Sequence, residues 1–138
     1  MIYWLTGQPG SGKTTLGSWI AASYPFKAET VDGDDLRDIF QNKDYSEEGR
    51  RKNIEKAQTI AKFLHHKGKV VIVSLVSPYK DQREAFKAEM GEDLIEIYVH
   101  TSEMRGKEAY HVAEYEPPTE NFVDCDSTNS REYNTFLT

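Results

Sequence analysis

The sequence predicts an α/β fold, a three-layer single domain in which a five-stranded parallel sheet lies between helices. Five short segments predicted to be strands alternate with segments of helical spacing, which is typical of successive βαβ units. The run at residues 69–75 is almost continuously apolar and β-branched, as expected of a central parallel strand that is covered on both faces. A length of 138 residues falls within the usual range for one domain, so residues 1–138 are predicted to form a single domain.

Each predicted strand is a short stretch that contains apolar or β-branched residues and is followed by glycine or polar residues. They comprise residues 2–6, 29–32, 69–75, 94–99 and 121–125. Because parallel sheets bind their ligands beyond the carboxyl ends of the strands, the segments that follow these strands are the candidates for a functional site.

The predicted helices lie between these strands and begin and end at recognisable signals. Asp34 is predicted to cap the helix that ends at Phe40. Ser77-Pro78 is predicted to open the helix after the third strand. Gly68 and Gly91 are stop signals for two of the helices. The predicted helices comprise residues 13–23, 34–40, 46–66, 77–90 and 130–136.

Composition argues against several classes of partner. The chain carries 23 acidic and 17 basic residues, and this acidic balance argues against nucleic acid or an anionic membrane as a partner. No apolar run approaches the roughly 20 residues of a membrane span, and Met1 leads directly into the first strand without a signal-type segment. Cys125 is the only cysteine and is predicted to be a reduced, buried thiol. We therefore expect a soluble, unprocessed, cytoplasmic protein.

A glycine-rich loop between the first strand and the first helix matches the P-loop pattern GxxxxGK[ST]. Its glycines allow backbone N–H groups and the helix N-terminus to converge on phosphate oxygens. Lys13 is expected to contact the β- and γ-phosphates, Thr14 to ligate Mg²⁺, and Thr15 to contact the α-phosphate. The sequence thus predicts a P-loop NTPase fold that binds a nucleoside triphosphate. The loop residues are Gly7, Gln8, Pro9, Gly10, Ser11, Gly12, Lys13 and Thr14.

A second acidic motif favours a kinase over other P-loop proteins. Asp32 and Asp34 follow the second predicted strand, where a carboxylate can accept a hydroxyl proton or hold metal-bound water. Asp34 is the candidate base, with Asp32 supporting it; the alternative is that both are solvated loop acids with a capping role. The base-reading NKxD motif of GTPases is absent, because Asn42-Lys43 is followed by Asp44-Tyr45.

Five segments taken together resemble the adenylylsulfate kinase family. They are WLTGQPGSGKTT, VDGDDLR, YSEEGRRKNI, VVIVSLVSPYKDQR and EIYV, and the resemblance covers roughly the first hundred residues before it resumes at Tyr115-Glu116-Pro117. It implies a kinase of sulfate assimilation that uses ATP and Mg²⁺ to phosphorylate the 3′-hydroxyl of adenosine 5′-phosphosulfate.

The resemblance also implies roles for individual residues. Asp34 falls where the family has a catalytic acid, and Ser77 occupies the matching place after the third strand. Arg37, Arg50 and Asn53 fall where the sulfated nucleotide is held, and Arg side chains suit that role because they bind sulfate and phosphate bidentately. The alternative for Arg50 is an ordinary solvated basic turn.

Two further groups in the resembling segments allow more than one interpretation. Tyr45 falls where the family often has an aromatic residue beside the substrate, although a core aromatic fits the same pattern. Lys80 and Arg83 resemble the family's segment after the third strand, or are simply charges on a helix surface.

The chain departs from the family in a shortened lid region at residues 101–116. Arg105 and Lys107 remain there as side chains that could contact the γ-phosphate, whereas the phenylalanine that stacks on the substrate adenine has no counterpart. The N-terminal segment that helps such kinases to dimerise is also short, so both a monomer and a homodimer remain open. Two alternatives follow from this departure: a kinase for another nucleoside, nucleotide or sugar, and a nucleotide-binding module without transferase activity.

Overall fold

Five parallel strands form one sheet in the computed structural model, which describes residues 1–103 and 105–128. The spatial order of the strands is β2-β3-β1-β4-β5, and every neighbouring pair is parallel. The predicted α/β fold and its parallel sheet are therefore confirmed. The strands are β1 (Ile2–Thr6), β2 (Ala28–Asp32), β3 (Val70–Ser74), β4 (Leu94–His100) and β5 (Val123–Asp126).

Four α-helices and two short 3₁₀ turns connect the strands in the described part of the chain. The helices are α1 (Lys13–Ala22), α2 (Gly33–Phe40), α3 (Glu47–His66) and α4 (Lys80–Met90), and the turns are Gly91–Asp93 and Glu108–Tyr110. The predicted helix at residues 130–136 lies outside the described residues.

The sheet has a hydrophobic core on each face. On one face, the indole of Trp4 packs edge-on against Phe86 of α4, with 5.4 Å between ring centroids, and Ile54 of α3 belongs to the same cluster. On the other face, Leu16 and Ile20 of α1 belong to a second cluster. The buried, β-branched strand β3 contributes to both clusters, which explains its near-continuous apolar sequence.

The strand order puts the P-loop at a switch point of the sheet. β1 lies between β3 and β4, so the chain leaves β1 toward one side of the sheet and β3 toward the other. Crevices at such points, beyond the carboxyl ends of the strands, are where α/β sheets bind ligands. The loops after β1, β2 and β3 all lie at this edge, because the strands are parallel.

Two predicted helix starts are wrong. Asp32, rather than Asp34, caps α2, because its Oδ1 atom accepts a hydrogen bond of 2.8 Å from the Asp34 amide. Helix α4 begins at Lys80 rather than at Ser77-Pro78. Ser77 has a φ of 51°, in the left-handed region, so this residue cannot be part of a right-handed helix.

A buried ion-pair network joins α4 to β4. The Arg83 Nε atom donates to Glu96 Oε2 at 3.0 Å, and Lys87 Nζ lies 2.8 Å from Glu96 Oε1. The side chains of Arg83 and Glu96 are 1% and 0% exposed. Arg83 also donates to the carbonyls of Ser77 and Glu116. The interpretation of Arg83 as a helix-surface charge is therefore wrong.

The structure bears on two expectations that were based on composition, the burial of Cys125 and the lack of a membrane-spanning segment. The Cys125 side chain is buried within the core on the α1 face of the sheet, as predicted. Within residues 1–103 and 105–128, no helix combines the length and the apolar character that crossing a membrane requires.

Candidate active site

The P-loop has the backbone conformation that anion binding requires. Gly10 and Gly12 have φ values of 81° and 104°, which residues with a Cβ rarely adopt. Gly12 is the N-cap of α1, so no side chain caps this helix and its first turn faces the loop. The glycines of the motif therefore direct backbone amides and the positive end of the helix dipole toward a common point.

Lys13 is folded back onto the loop. Its Nζ atom donates to the carbonyl oxygens of Gly7 and Gln8, both at 2.9 Å. Burial lowers the pKa of the Lys13 ammonium group from 10.5 to about 8, although the carboxylates of Asp32 and Asp34 act in the opposite direction. Both carboxylates line the same cleft as Lys13.

The two acids that follow β2 occupy the mouth of the cleft. Asp32 is held by its capping hydrogen bond to the Asp34 amide, while the Asp34 side chain lies on the first turn of α2 and is exposed. Asp34 is therefore free to meet a ligand in the cleft, whereas one oxygen of Asp32 is already occupied. The structure gives these acids different surroundings, which a pattern of two aspartates does not reveal.

Arg37 organises the loop between α2 and α3. Its Nη1 atom donates to the carbonyl oxygens of Asn42 and Asp44, both at 3.1 Å. Its guanidinium group lies over the ring of Tyr45, 4.0 Å from the centroid. Tyr45 is 62% exposed, so the interpretation of Tyr45 as a core aromatic is wrong. The stacked pair forms one wall of the cleft.

Arg50 and Asn53 project from α3 toward the same cleft. Ser46 caps this helix by accepting a hydrogen bond from the Gly49 amide, which fixes the first turn that carries Arg50. Asn53 is buried, and its Nδ2 atom donates to the Gly33 carbonyl at 3.4 Å. Its Oδ1 atom has no donor among the described residues. A buried acceptor of this kind is a favourable partner for a hydroxyl or amide group of a ligand.

Ser77 closes the cleft behind β3. It is 1% exposed, and its hydroxyl accepts a hydrogen bond of 3.1 Å from the Trp4 indole. Its carbonyl oxygen accepts hydrogen bonds from Thr6 and Arg83. These contacts hold the residue in its left-handed conformation, so Ser77 contributes a fixed wall.

One cleft of about 730 Å³ brings most of the predicted site residues together. Its lining includes donor-side and acceptor-side candidates, which are Pro9, Gly10, Lys13, Thr14, Asp32, Asp34, Arg37, Tyr45, Arg50, Asn53, Ser77 and Lys107. A smaller cavity of about 140 Å³ lies on the other side of the P-loop and is lined by Gln8, Ser11 and Arg105 among others. Gly7, Gly12 and Thr15 line neither cavity.

Arg105 supports the P-loop from behind. Its guanidinium group donates to the Gly10 carbonyl at 3.3 Å and to the Ser127 carbonyl at 2.5 Å. The Ser127 hydroxyl in turn donates to the carbonyl of Ser11. The sequence does not indicate this role of Ser127, because a lone serine after the last strand matches no motif.

Gln8 joins the P-loop to the lid region, a role that its place in the motif did not indicate. The Gln8 side-chain amide donates to the Val112 carbonyl at 2.9 Å, and its Oε1 atom accepts from the Val112 amide at 2.8 Å. Tyr115 is held nearby by a 2.8 Å hydrogen bond between its hydroxyl and that of Thr6. The residues at 112–115 are thus anchored to both the P-loop and β1.

Three oxygen-bearing side chains in the cleft suit Mg²⁺. Thr14, Asp32 and Asp34 all line it, and Mg²⁺ is usually held by one or two protein oxygens together with phosphate oxygens and water. Among residues 1–103 and 105–128 there is no cluster of three or more His, Cys, Asp or Glu side chains that could hold a metal alone. The residues therefore fit a magnesium ion that arrives with a nucleotide.

Comparison with known proteins decides between the classes of P-loop protein. A family model described as adenylylsulphate kinase matches residues 1–120. This chain belongs to the adenylylsulfate kinase family. An adenylyl-sulfate kinase of Pseudomonas aeruginosa is 36% identical over 135 residues, which cover 91% of this chain and 69% of that protein. A probable adenylyl-sulfate kinase of Pyrococcus abyssi is 40% identical over 101 residues, covering 70% of this chain and 58% of that protein.

Solved structures share the fold of this adenylylsulfate kinase family member. The structure of Mycobacterium tuberculosis APS kinase CysC in complex with AMPPNP and APS has a TM-score of 0.80 at 21% identity, over 99% of this chain and 94% of that chain. A gluconokinase from Sinorhizobium meliloti has a TM-score of 0.67 at 15% identity, over 98% of this chain and 90% of that one. At these identities the likeness concerns the fold. By sequence, this chain spans about two thirds or less of the curated relatives named above.

Proposed function

We propose that this protein transfers the γ-phosphoryl group of MgATP to the 3′-hydroxyl of adenosine 5′-phosphosulfate (APS). The observation that carries the proposal is the single cleft that P-loop residues share with Asp34 and with the α3 residues Arg50 and Asn53. A kinase needs its donor and acceptor sites to face each other in this way, because phosphoryl transfer depends mainly on positioning and electrostatic stabilisation. Membership of the adenylylsulfate kinase family supports APS as the acceptor.

The donor half consists of the P-loop and the first turn of α1. The loop amides bind phosphate oxygens, and Lys13 exchanges the carbonyls of Gly7 and Gln8 for the β- and γ-phosphates. When bound, Mg²⁺ would neutralise charge on these phosphates, and Thr14 with the Asp32 and Asp34 carboxylates would hold the ion or its waters.

The acceptor half orients the 3′-hydroxyl and the anionic group of APS. Asp34 accepts the hydroxyl proton as the hydroxyl oxygen bonds to the γ-phosphorus. The bond between that phosphorus and the bridging β–γ oxygen breaks, and ADP leaves. Arg37 and Arg50 bind the anionic group, while the buried Oδ1 atom of Asn53 accepts a hydrogen bond from the nucleotide.

The second candidate function is phosphoryl transfer to a different acceptor, and the short lid region favours it. The lid region is short and lacks the phenylalanine that stacks on the acceptor adenine, although Tyr45 and Tyr110 both line the cleft. The solved gluconokinase shares this fold, so a sugar belongs among the acceptors to be tested.

An acceptor panel tests the proposal. Purified protein is given MgATP with APS, adenosine, AMP or gluconate, and ADP and phosphorylated product are measured together. We expect stoichiometric ADP and 3′-phosphorylated product with APS, and the Lys13→Ala variant as control should lose both because the P-loop lysine is missing. Product from another acceptor, with none from APS, would refute APS as the substrate. Nucleotide binding without product from any acceptor would point to a binding module.

Nucleotide affinity should depend on pH through Lys13. Its pKa is about 8 in the free protein, and a bound triphosphate stabilises the protonated form, so binding takes up a proton above that pH. We expect the affinity for an MgATP analogue to be constant near pH 7 and to fall above pH 8, by up to about tenfold per pH unit. Calorimetric titration in buffers of different ionisation enthalpy measures both the affinity and the proton uptake.

The matched control for this pH dependence is Lys13→Arg, whose guanidinium group stays charged throughout the range. Its affinity should be independent of pH between 7 and 9. Parallel pH profiles for the two proteins would contradict the assignment of the titrating group to Lys13.

A further inference from the structure

Arg50, which lines the cleft, is already paired with a carboxylate. Its Nη1 atom lies 2.5 Å from the Oε1 atom of Glu114, which belongs to the lid region. The Arg50 side chain is 24% exposed and that of Glu114 is 52% exposed. A guanidinium group beside the bound acceptor would need to give up this partner before it could bind a sulfate or phosphate group with the same atom.

The backbone is anchored on both sides of Glu114. On one side, Val112 makes two hydrogen bonds with the Gln8 side chain. On the other side, the Tyr115 hydroxyl contacts Thr6, and the Glu116 amide donates to the Pro78 carbonyl at 2.9 Å. Glu114 therefore lies between two anchored points, and its approach to Arg50 is part of the fold.

We propose that Glu114 is a specificity-determining residue, whose carboxylate holds the place of the acceptor's anionic group on Arg50 until an anionic acceptor displaces it. This inference rests on the proposed function. A sulfate or phosphate group offers several oxygens to the guanidinium fork and can replace the single contact of Glu114. A neutral hydroxyl compound has nothing to offer Arg50, so the ion pair persists and opposes its binding.

The ion pair is suited to reversible exchange. Ion pairs that are partly open to solvent stabilise a protein little, because water and salt compete for both charges. The anchors on either side of Glu114 are hydrogen bonds that do not involve its own side chain. The carboxylate can thus leave Arg50 without loss of these anchors.

Replacement of Glu114 tests the inference. Glu114→Gln removes the competing charge, and we expect the KM for APS to fall roughly threefold to tenfold while kcat stays within about twofold. The matched control is Glu89→Gln, because Glu89 is also 52% exposed and pairs with Lys62 at 2.8 Å. The control should leave both constants unchanged. Equal thermal unfolding temperatures would show that neither change disturbs the fold.

A second variant tests whether Glu114 acts through Arg50. In an Arg50→Ala background, Glu114→Gln should have no effect on the KM for APS, because no guanidinium group remains to be released. A purely structural role for Glu114 would produce the same change in both backgrounds. That result would overturn the inference.

The two proposals fail in different ways. If the unaltered protein phosphorylates APS but Glu114→Gln leaves the KM unchanged, the inference fails and the proposed function stands. If the protein does not phosphorylate APS, the proposed function fails, and inorganic sulfate then serves as the probe of Arg50. Sulfate should stabilise Glu114→Gln against heat at a lower concentration than it stabilises the unaltered protein, and equal concentrations would overturn the inference.

Discussion

Asp34→Asn should slow phosphoryl transfer by about 10² to 10⁴-fold and leave nucleotide affinity within about threefold. Asp34 lies beyond the carboxyl end of β2, is exposed, and lines the cleft together with Lys13. Asparagine keeps the size of the side chain and can accept a hydrogen bond, but it cannot take up the hydroxyl proton. Single-turnover rates with APS and calorimetric titration with an ATP analogue separate the two effects.

The neighbouring residue supplies the control for this change. Asp35 is also exposed and also lies on the first turn of α2, but it does not line the cleft. Asp35→Asn therefore removes the same charge from the same helix end, and its rate should stay within about twofold of the unaltered protein. Similar losses in both variants would attribute the effect to the helix terminus. Full activity in Asp34→Asn would refute its role as the base.

Arg83→Met should destabilise the protein by about 3 kcal/mol, at the lower end of the range for a broken buried ion pair. The change removes two buried hydrogen bonds, from Arg83 to Glu96 and to the Ser77 carbonyl, and a partly buried one to the Glu116 carbonyl. Lys87 still reaches Glu96 at 2.8 Å, which keeps the loss from being larger. Urea unfolding followed by circular dichroism measures the difference in free energy.

Arg51→Met is the matched control on the protein surface. Arg51 forms two ion pairs, with Glu47 at 2.9 Å and Asp81 at 3.0 Å, but its side chain is 31% exposed. We expect a loss below about 1 kcal/mol, because solvent screens these pairs. If the two variants lost equal stability, the burial of Arg83 could not be the cause.

The sequence was sufficient for the fold because its signals are local. A continuous apolar strand, the glycines of the P-loop and the stop signals after helices each depend on a few adjacent residues. The one-turn error at α4 arose because Ser77 adopts a left-handed conformation that depends on contacts with Trp4, Thr6 and Arg83. Such contacts join distant parts of the chain and leave no pattern around residue 77.

The dependence on contacts between distant parts of the chain also explains why the surroundings of two charged side chains could not be predicted. Arg83 looked like a surface residue because its partner Glu96 belongs to a different element, and neither residue alone indicates burial. The role of Glu114 has no signal in the sequence, because the lid region has no periodicity from which the direction of this side chain could be derived. The cytoplasmic location stays a prediction and the choice between monomer and homodimer stays open, since both depend on properties outside a single folded chain.

The contact between Gln8 and Val112 has a consequence for how the lid region can evolve. Both hydrogen bonds of the glutamine go to main-chain atoms of residue 112, so the side chain at that position does not take part in them. Most substitutions at 112 keep an N–H and a C=O group in place, and proline alone removes the donor. New lid sequences, and with them new acceptor preferences, can therefore be sampled while the connection to the nucleotide site is inherited unchanged.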